Sequence, residues 1–115
     1  MDTKLHPVIS VRIFGAEKCF GPGVATLLEK VEALHSLRAA AASIGMAYSK
    51  AWTIIKNAEA GLGFALLVST TGGKNGGGAV LTGQAKALLT AYAQYCSALR
   101  DFAAQRFEED FREFL

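Results

Sequence analysis

Apolar and polar positions change their rhythm several times along the chain, and each change marks an element. Val8-Ile9-Ser10-Val11-Arg12-Ile13-Phe14 is β-branched and aromatic with partial alternation, which predicts a strand ended by Gly15. Cys19-Phe20-Gly21-Pro22-Gly23 reads as turn material, with Pro22 suited to the first position of a helix. Val24, Leu27, Leu28, Val31 and Leu34 then recur at three and four, the apolar stripe of a helix reaching His35. Ser36 is placed to cap a second helix, Leu37 to Ile44, in which Arg38 precedes four alanines and Gly45 breaks the run. A third helix is predicted over roughly 47–60, with Ala51, Ile54, Ile55 and Ala58 inward and Gly61 and Gly63 at its end.

After those glycines the pattern shortens. The apolar run Phe64 to Val68 and the run Ala79-Val80-Leu81 flank a polar, glycine-rich connection, which predicts a β-hairpin. Thr82 caps a final long helix predicted to reach about Phe114. Ala85, Leu88, Tyr92, Tyr95, Leu99 and Phe102 follow a 3.5-residue period on it, and the stripe continues through Ala103, Phe107, Phe111 and Phe114. Strand, three helices, hairpin and long helix together predict an α+β fold, mainly α. This is the winged helix-turn-helix arrangement, with an N-terminal strand, a β-hairpin wing and a long C-terminal helix for dimerisation. Residues 1–82 are expected to form the DNA-binding unit and 83–115 the dimerisation helix.

Composition narrows the function. The 115 residues are 51% hydrophobic and 19% charged, enough apolar material for one domain core. No apolar run approaches the ~18 residues of a membrane helix, and MDTKLHPVIS lacks a secretory leader, so a cytoplasmic protein with no membrane partner is expected. Cys19 and Cys96 stand 77 positions apart with His6 and His35 near neither, which excludes a zinc or disulfide framework. No nucleophile–base pair, carboxylate pair or metal-ligand spacing supports catalysis, so no enzyme is expected. Residues 1–90 hold nine basic and five acidic side chains, a balance of +4, whereas residues 91–115 hold three and five, a balance of −2. A basic body with an acidic tail suits a polyanion at one end.

Two short helices that cross closely need small side chains at the crossing, and Ala40, Ala41 and Gly45 supply them. The third helix then offers Tyr48, Ser49, Lys50 and Thr53 in its N-terminal half as candidates for base edges or nearby phosphates. Ser36 and Arg38 open the second helix as candidate phosphate contacts, and Lys56 is an outer one. The glycine-rich connection is not a nucleotide loop. Lys74 is followed by Asn75 rather than Ser or Thr, the position five before Gly73 is Val68, and a strand follows instead of a helix. A flexible wing carrying Lys74 and Asn75 can instead lie along a phosphate backbone. Trp52, next to Ala51, is expected in the core against the first helix or strand, and Cys96 is expected to be a buried thiol. The long helix cannot bury both its stripes within one small domain. Leu88, Tyr92, Tyr95, Leu99 and Phe102 are therefore expected at a homodimer interface, which fits two DNA half-sites.

Ser36-Leu37-Arg38-Ala39-Ala40-Ala41 with Gly45-Met46-Ala47-Tyr48-Ser49-Lys50-Ala51-Trp52 resembles the helix-turn-helix of the ModE family of molybdate-responsive transcription regulators. Thr71-Gly72-Gly73-Lys74-Asn75-Gly76-Gly77-Gly78-Ala79-Val80-Leu81-Thr82 looks like that family's wing, with Asn75 where a glycine is usual. The resemblance spans roughly residues 8–100, and the fold it implies is similar to LysR-type DNA-binding domains, which also pair through a long helix. It implies sequence-specific binding to double-stranded DNA, with Ala47 joining the contact residues at the head of the third helix. The family's C-terminal molybdate-binding domains have no counterpart in these residues, so no cofactor is expected and any separate effector-binding protein stays unknown. Met1 and the acidic helix end suggest a naturally short protein. The rival expectation is a dimeric winged-helix interaction module with little DNA binding, which the modest charge keeps open.

Overall fold

Small side chains decide how the helices meet. In the computed structural model, which describes residues 4–70 and 78–115, helix α2 (Leu37–Ser43) crosses α3 (Tyr48–Leu62) through Ala40, Ala41 and Ala51, all fully excluded from solvent. The turn between them runs through Gly45 at φ +68°, a left-handed backbone that a β-carbon would strain. The Ala41 carbonyl accepts from both the Ile44 and Met46 amides, at 3.1 and 2.9 Å, which closes the turn on itself. Ahead of this pair, α1 (Pro22–Leu34) turns Val24, Leu27, Leu28 and Val31 inward, the stripe expected from their spacing. It ends at His35, itself left-handed at φ 58°. Ser36 then caps α2 as expected, its hydroxyl oxygen accepting from the Ala39 amide at 3.0 Å.

The strands depart from expectation. Only Ile13–Phe14 (β1) of the predicted strand pairs at all, antiparallel to Lys18–Phe20 (β2), so residues expected as a turn form a strand. The reason is Phe20: the short β2 delivers its ring, fully buried, into the core under α1 and α3. Residues 4–12 stay outside the sheets and meet the last helix where the Val11 carbonyl accepts from Tyr92 and Lys4 pairs with Glu108. The second hairpin pairs β3 (Leu67–Thr70) with β4 (Gly78–Leu81) in the register Leu67 to Leu81 and Thr70 to Gly78. β3 begins three residues after the apolar run starts because Leu66 and Leu67 give their amides to the Glu59 carboxylate, at 2.7 and 3.4 Å. Lys74 and Asn75 lie outside the described residues.

Thr82 caps the last helix, α4 (Gly83–Asp110), by accepting from the Ala85 amide at 3.0 Å while donating to the Ala65 carbonyl at 2.8 Å. A short 3-10 turn, Arg112–Phe114, follows where a continuous helix was expected. At ordinary helical rise α4 is about 42 Å long. Its one fully buried residue is Ala85. The fold is thus the expected mainly helical winged helix, with a β-hairpin and a long C-terminal helix, and a second small hairpin replaces the lone N-terminal strand.

Candidate nucleic-acid interface

Burial on α3 is confined to one side, Ala51, Ile55 and Ala58, so its other faces are available to a partner. Ala47, Tyr48, Ser49, Lys50, Thr53 and Lys56 are all exposed there. Thr53 donates to the Ser49 carbonyl at 3.0 Å, so these two stack along one edge of the helix. Ala47 is the N-cap of α3 and brings no side-chain acceptor, which leaves the first-turn amides without a capping group. Arg38, exposed on α2, lays its guanidinium over the Tyr48 ring at 4.1 Å, a cation–π contact that joins the two helices at their solvent edge. Lys56 stands 3.3 Å from the Glu59 carboxylate and 5.6 Å from the Trp52 ring centroid.

Trp52 corrects the sequence reading. It is 49% exposed, not core, because Ala51 and Ile55 already fill the inward side and position 52 falls on the flank facing the hairpin. Its i−4 and i+4 neighbours, Tyr48 and Lys56, were the available signal. Ser36, Arg38, Tyr48, Trp52 and Lys56 line a groove of about 350 Å³ between the helix pair and the hairpin, whose far wall is formed by Leu67, Ser69 and Gly78. Cys96 is half-buried rather than buried.

Two residues passed over in the sequence hold the groove's walls together. Glu59 clamps the head of the hairpin to α3 through the amides already named. His35 presents its carbonyl to the Ala79 amide at 2.9 Å, tying β4 to the α1–α2 corner. Gly78 must be glycine for this approach, since a β-carbon there would collide with the His35 carbonyl oxygen. The same hairpin edge carries a bond from the Gly78 amide to the Thr70 hydroxyl at 3.0 Å.

A family model described as bacterial regulatory helix-turn-helix protein, lysR family, matches residues 25–86, more than half of the chain. The chain belongs to the lysR family. That span takes in most of α1, the whole α2–α3 pair, the hairpin and the head of α4, so the lysR helix-turn-helix coincides with the elements that build the groove. A lysR-type regulatory domain is a DNA-binding transcription regulator. No curated protein matches the chain. Among the described residues no helix is long and apolar enough to cross a membrane, and no group of His, Cys, Asp and Glu is gathered to hold a metal.

On α4 the expected interface positions divide. Leu88 and Tyr92 pack partly on the core, the Tyr92 ring meeting Phe20 edge-on at 5.0 Å and its hydroxyl donating to the Val11 carbonyl at 2.6 Å. Leu99 is half-buried, whereas Tyr95 and Phe102 stand 58% and 63% exposed. Burial pushes the Tyr92 hydroxyl above its ordinary pKa, and neighbouring Cys96 adds to the shift.

Proposed function

We propose that the chain is a sequence-specific transcription regulator of ModE-like type that binds duplex DNA as a homodimer in the cytoplasm. The observation that carries this reading is the lysR match across residues 25–86, which brackets an α3 exposed along its whole outer side. Tyr48, Ser49, Lys50 and Thr53 read base edges in the major groove, with Ala47 admitting close approach at the helix head. Ser36, Arg38 and Lys56 hold the flanking phosphates, and Lys74 and Asn75 in the hairpin connection follow the backbone beyond them. The finer ModE assignment rests on the Ser36–Trp52 and Thr71–Thr82 segments and makes molybdate-transport genes the first place to look for operators.

The exposed aromatic side chains of α4 support the dimer. Tyr95, Leu99 and Phe102 form the seam between two copies, and Leu88 and Tyr92 lie at its body end. The two recognition helices are then related by a twofold axis and meet two half-sites. Fluorescence anisotropy with duplex DNA from upstream of molybdate-transport genes, against scrambled duplex and across a salt series, tests the proposal. Selective binding whose logarithm falls linearly with log salt is expected. Lys50→Ala should relax selectivity, and Lys74→Ala should weaken all sequences alike. Absence of binding to any duplex at low salt would sink the reading and leave a dimeric interaction module.

A further inference from the structure

We propose that the cleft between β1 and α4 is a socket for a second copy of this chain, entered by the partner's Phe102 and closed by an ion pair from Arg12 to the partner's Glu109. This rests on the dimer in the reading above and adds a contact surface outside α4, a helix direction and a register. The cleft holds about 490 Å³ and is lined by Val11 and Phe14 on the strand side and by Leu88, Ala91 and Tyr95 on α4. Arg12 is the one charged residue among those lining it. Phe14 and Tyr95 stand 63% and 58% exposed, so the walls are apolar and open to water.

The spacing on α4 names the occupant. Leu88, Tyr95, Phe102 and Glu109 recur every seven residues, so they form one column along the helix. Two copies of that column fit each other when they run antiparallel. Tyr95 then meets Phe102, Leu88 meets Glu109, and the twofold axis passes between Ala98 and Leu99. Phe102, itself 63% exposed, sits over the partner's cleft, and Glu109 reaches the partner's Arg12 beside Leu88. Neither contact can form within one copy. The helix holds Phe102 about 11 Å beyond Tyr95 and Glu109 about 32 Å beyond Leu88. Among the described residues neither Arg12 nor Glu109 makes an ion pair, whereas the flanking Glu108 and Asp110 are taken by Lys4 and Arg106. A parallel pair would instead set Glu109 against Glu109 and leave both clefts empty.

Sedimentation equilibrium on the intact chain, without DNA, tests the pairing. Arg12→Glu and Glu109→Arg should each weaken self-association by about tenfold, since every dimer then holds two like-charged pairs. An equimolar mixture of the two variants should associate nearly as tightly as wild type, because each mixed dimer regains two opposite-charged pairs. An ion pair made within one copy would gain nothing from mixing. Phe14→Ser, which lies on β1 rather than α4, should weaken association by about fivefold. All three positions are exposed, so each variant should keep the far-ultraviolet circular dichroism of the wild type. Single variants as tight as wild type, or a mixture no tighter than its components, would overturn the socket and its register and leave the dimer reading standing. A wild-type chain that stays monomeric at every concentration would overturn both.

Discussion

The body of the molecule, from Phe20 to Ala85, and the long helix α4 are built on opposite terms. In the body, the helices turn Leu27, Leu28, Val31, Ala40, Ala41 and Ala51 into one dry core with no solvent left on them. Along α4, 28 residues contribute one fully buried side chain, while Tyr95 and Phe102 face water. A helix of that length carrying exposed aromatics is poorly explained by the stability of one copy, because helices in water owe most of their stability to a packed face. The body is complete in itself. The far half of α4 leaves its aromatic side chains in solvent.

Substitutions separate the two regions most sharply at the core. Leu28→Ala should cost about 3 kcal/mol in denaturant unfolding, as a fully buried leucine in a packed helix pair does. A loss comparable to that of a surface change would break the contrast. A smaller effect is expected where the regions are joined. Tyr92→Phe removes the bond to Val11 and should cost about 1 kcal/mol. Its pH signature is distinctive. Because the folded-state pKa lies above the ordinary 10.0, the hydroxyl's contribution is fully present below that pH and is lost as pH rises through the folded-state value. Stability of the wild type should therefore fall in alkali more steeply than that of Tyr92→Phe, by thermal unfolding across pH. Smallest for folding is the paired change Tyr95→Ser and Phe102→Ser, which should alter the unfolding free energy of the monomer by less than about 0.5 kcal/mol. Sedimentation equilibrium should nevertheless show the pair shifting the chain toward monomer, and unchanged association would mean that these rings are not the seam.

The helices were legible because their signals are local and redundant: a stripe at three and four, serine and threonine caps, and glycines at the breaks. Ser36 and Thr82 cap as their sequence positions demand, and Pro22 opens α1. The strands were less legible since β1 and β2 are two and three residues long, too short for a period to register. Phe20 looked like part of a turn because its flanking glycines dominate the local reading, whereas its ring is claimed by a core assembled from distant residues. Trp52 failed for a related reason. Its hydrophobicity argued for burial, but its angular place on α3, four residues from Tyr48 and from Lys56, put it on the polar flank. Glu59 and His35 act through contacts to β3 and β4, which no spacing within their own helices announces.

The extended arm of residues 4–12 has a dynamic consequence. Val11 meets Tyr92, and Lys4 reaches Glu108 at 3.9 Å, so seven residues of arm lie antiparallel along sixteen of α4, about 23 Å against about 24 Å. The arm thereby closes a loop around the entire helix-turn-helix, meeting α4 at Tyr92 and at Glu108 while Leu5 and Val8 stay in water. Amides along the arm are accordingly expected to exchange with solvent ahead of those in α1–α3.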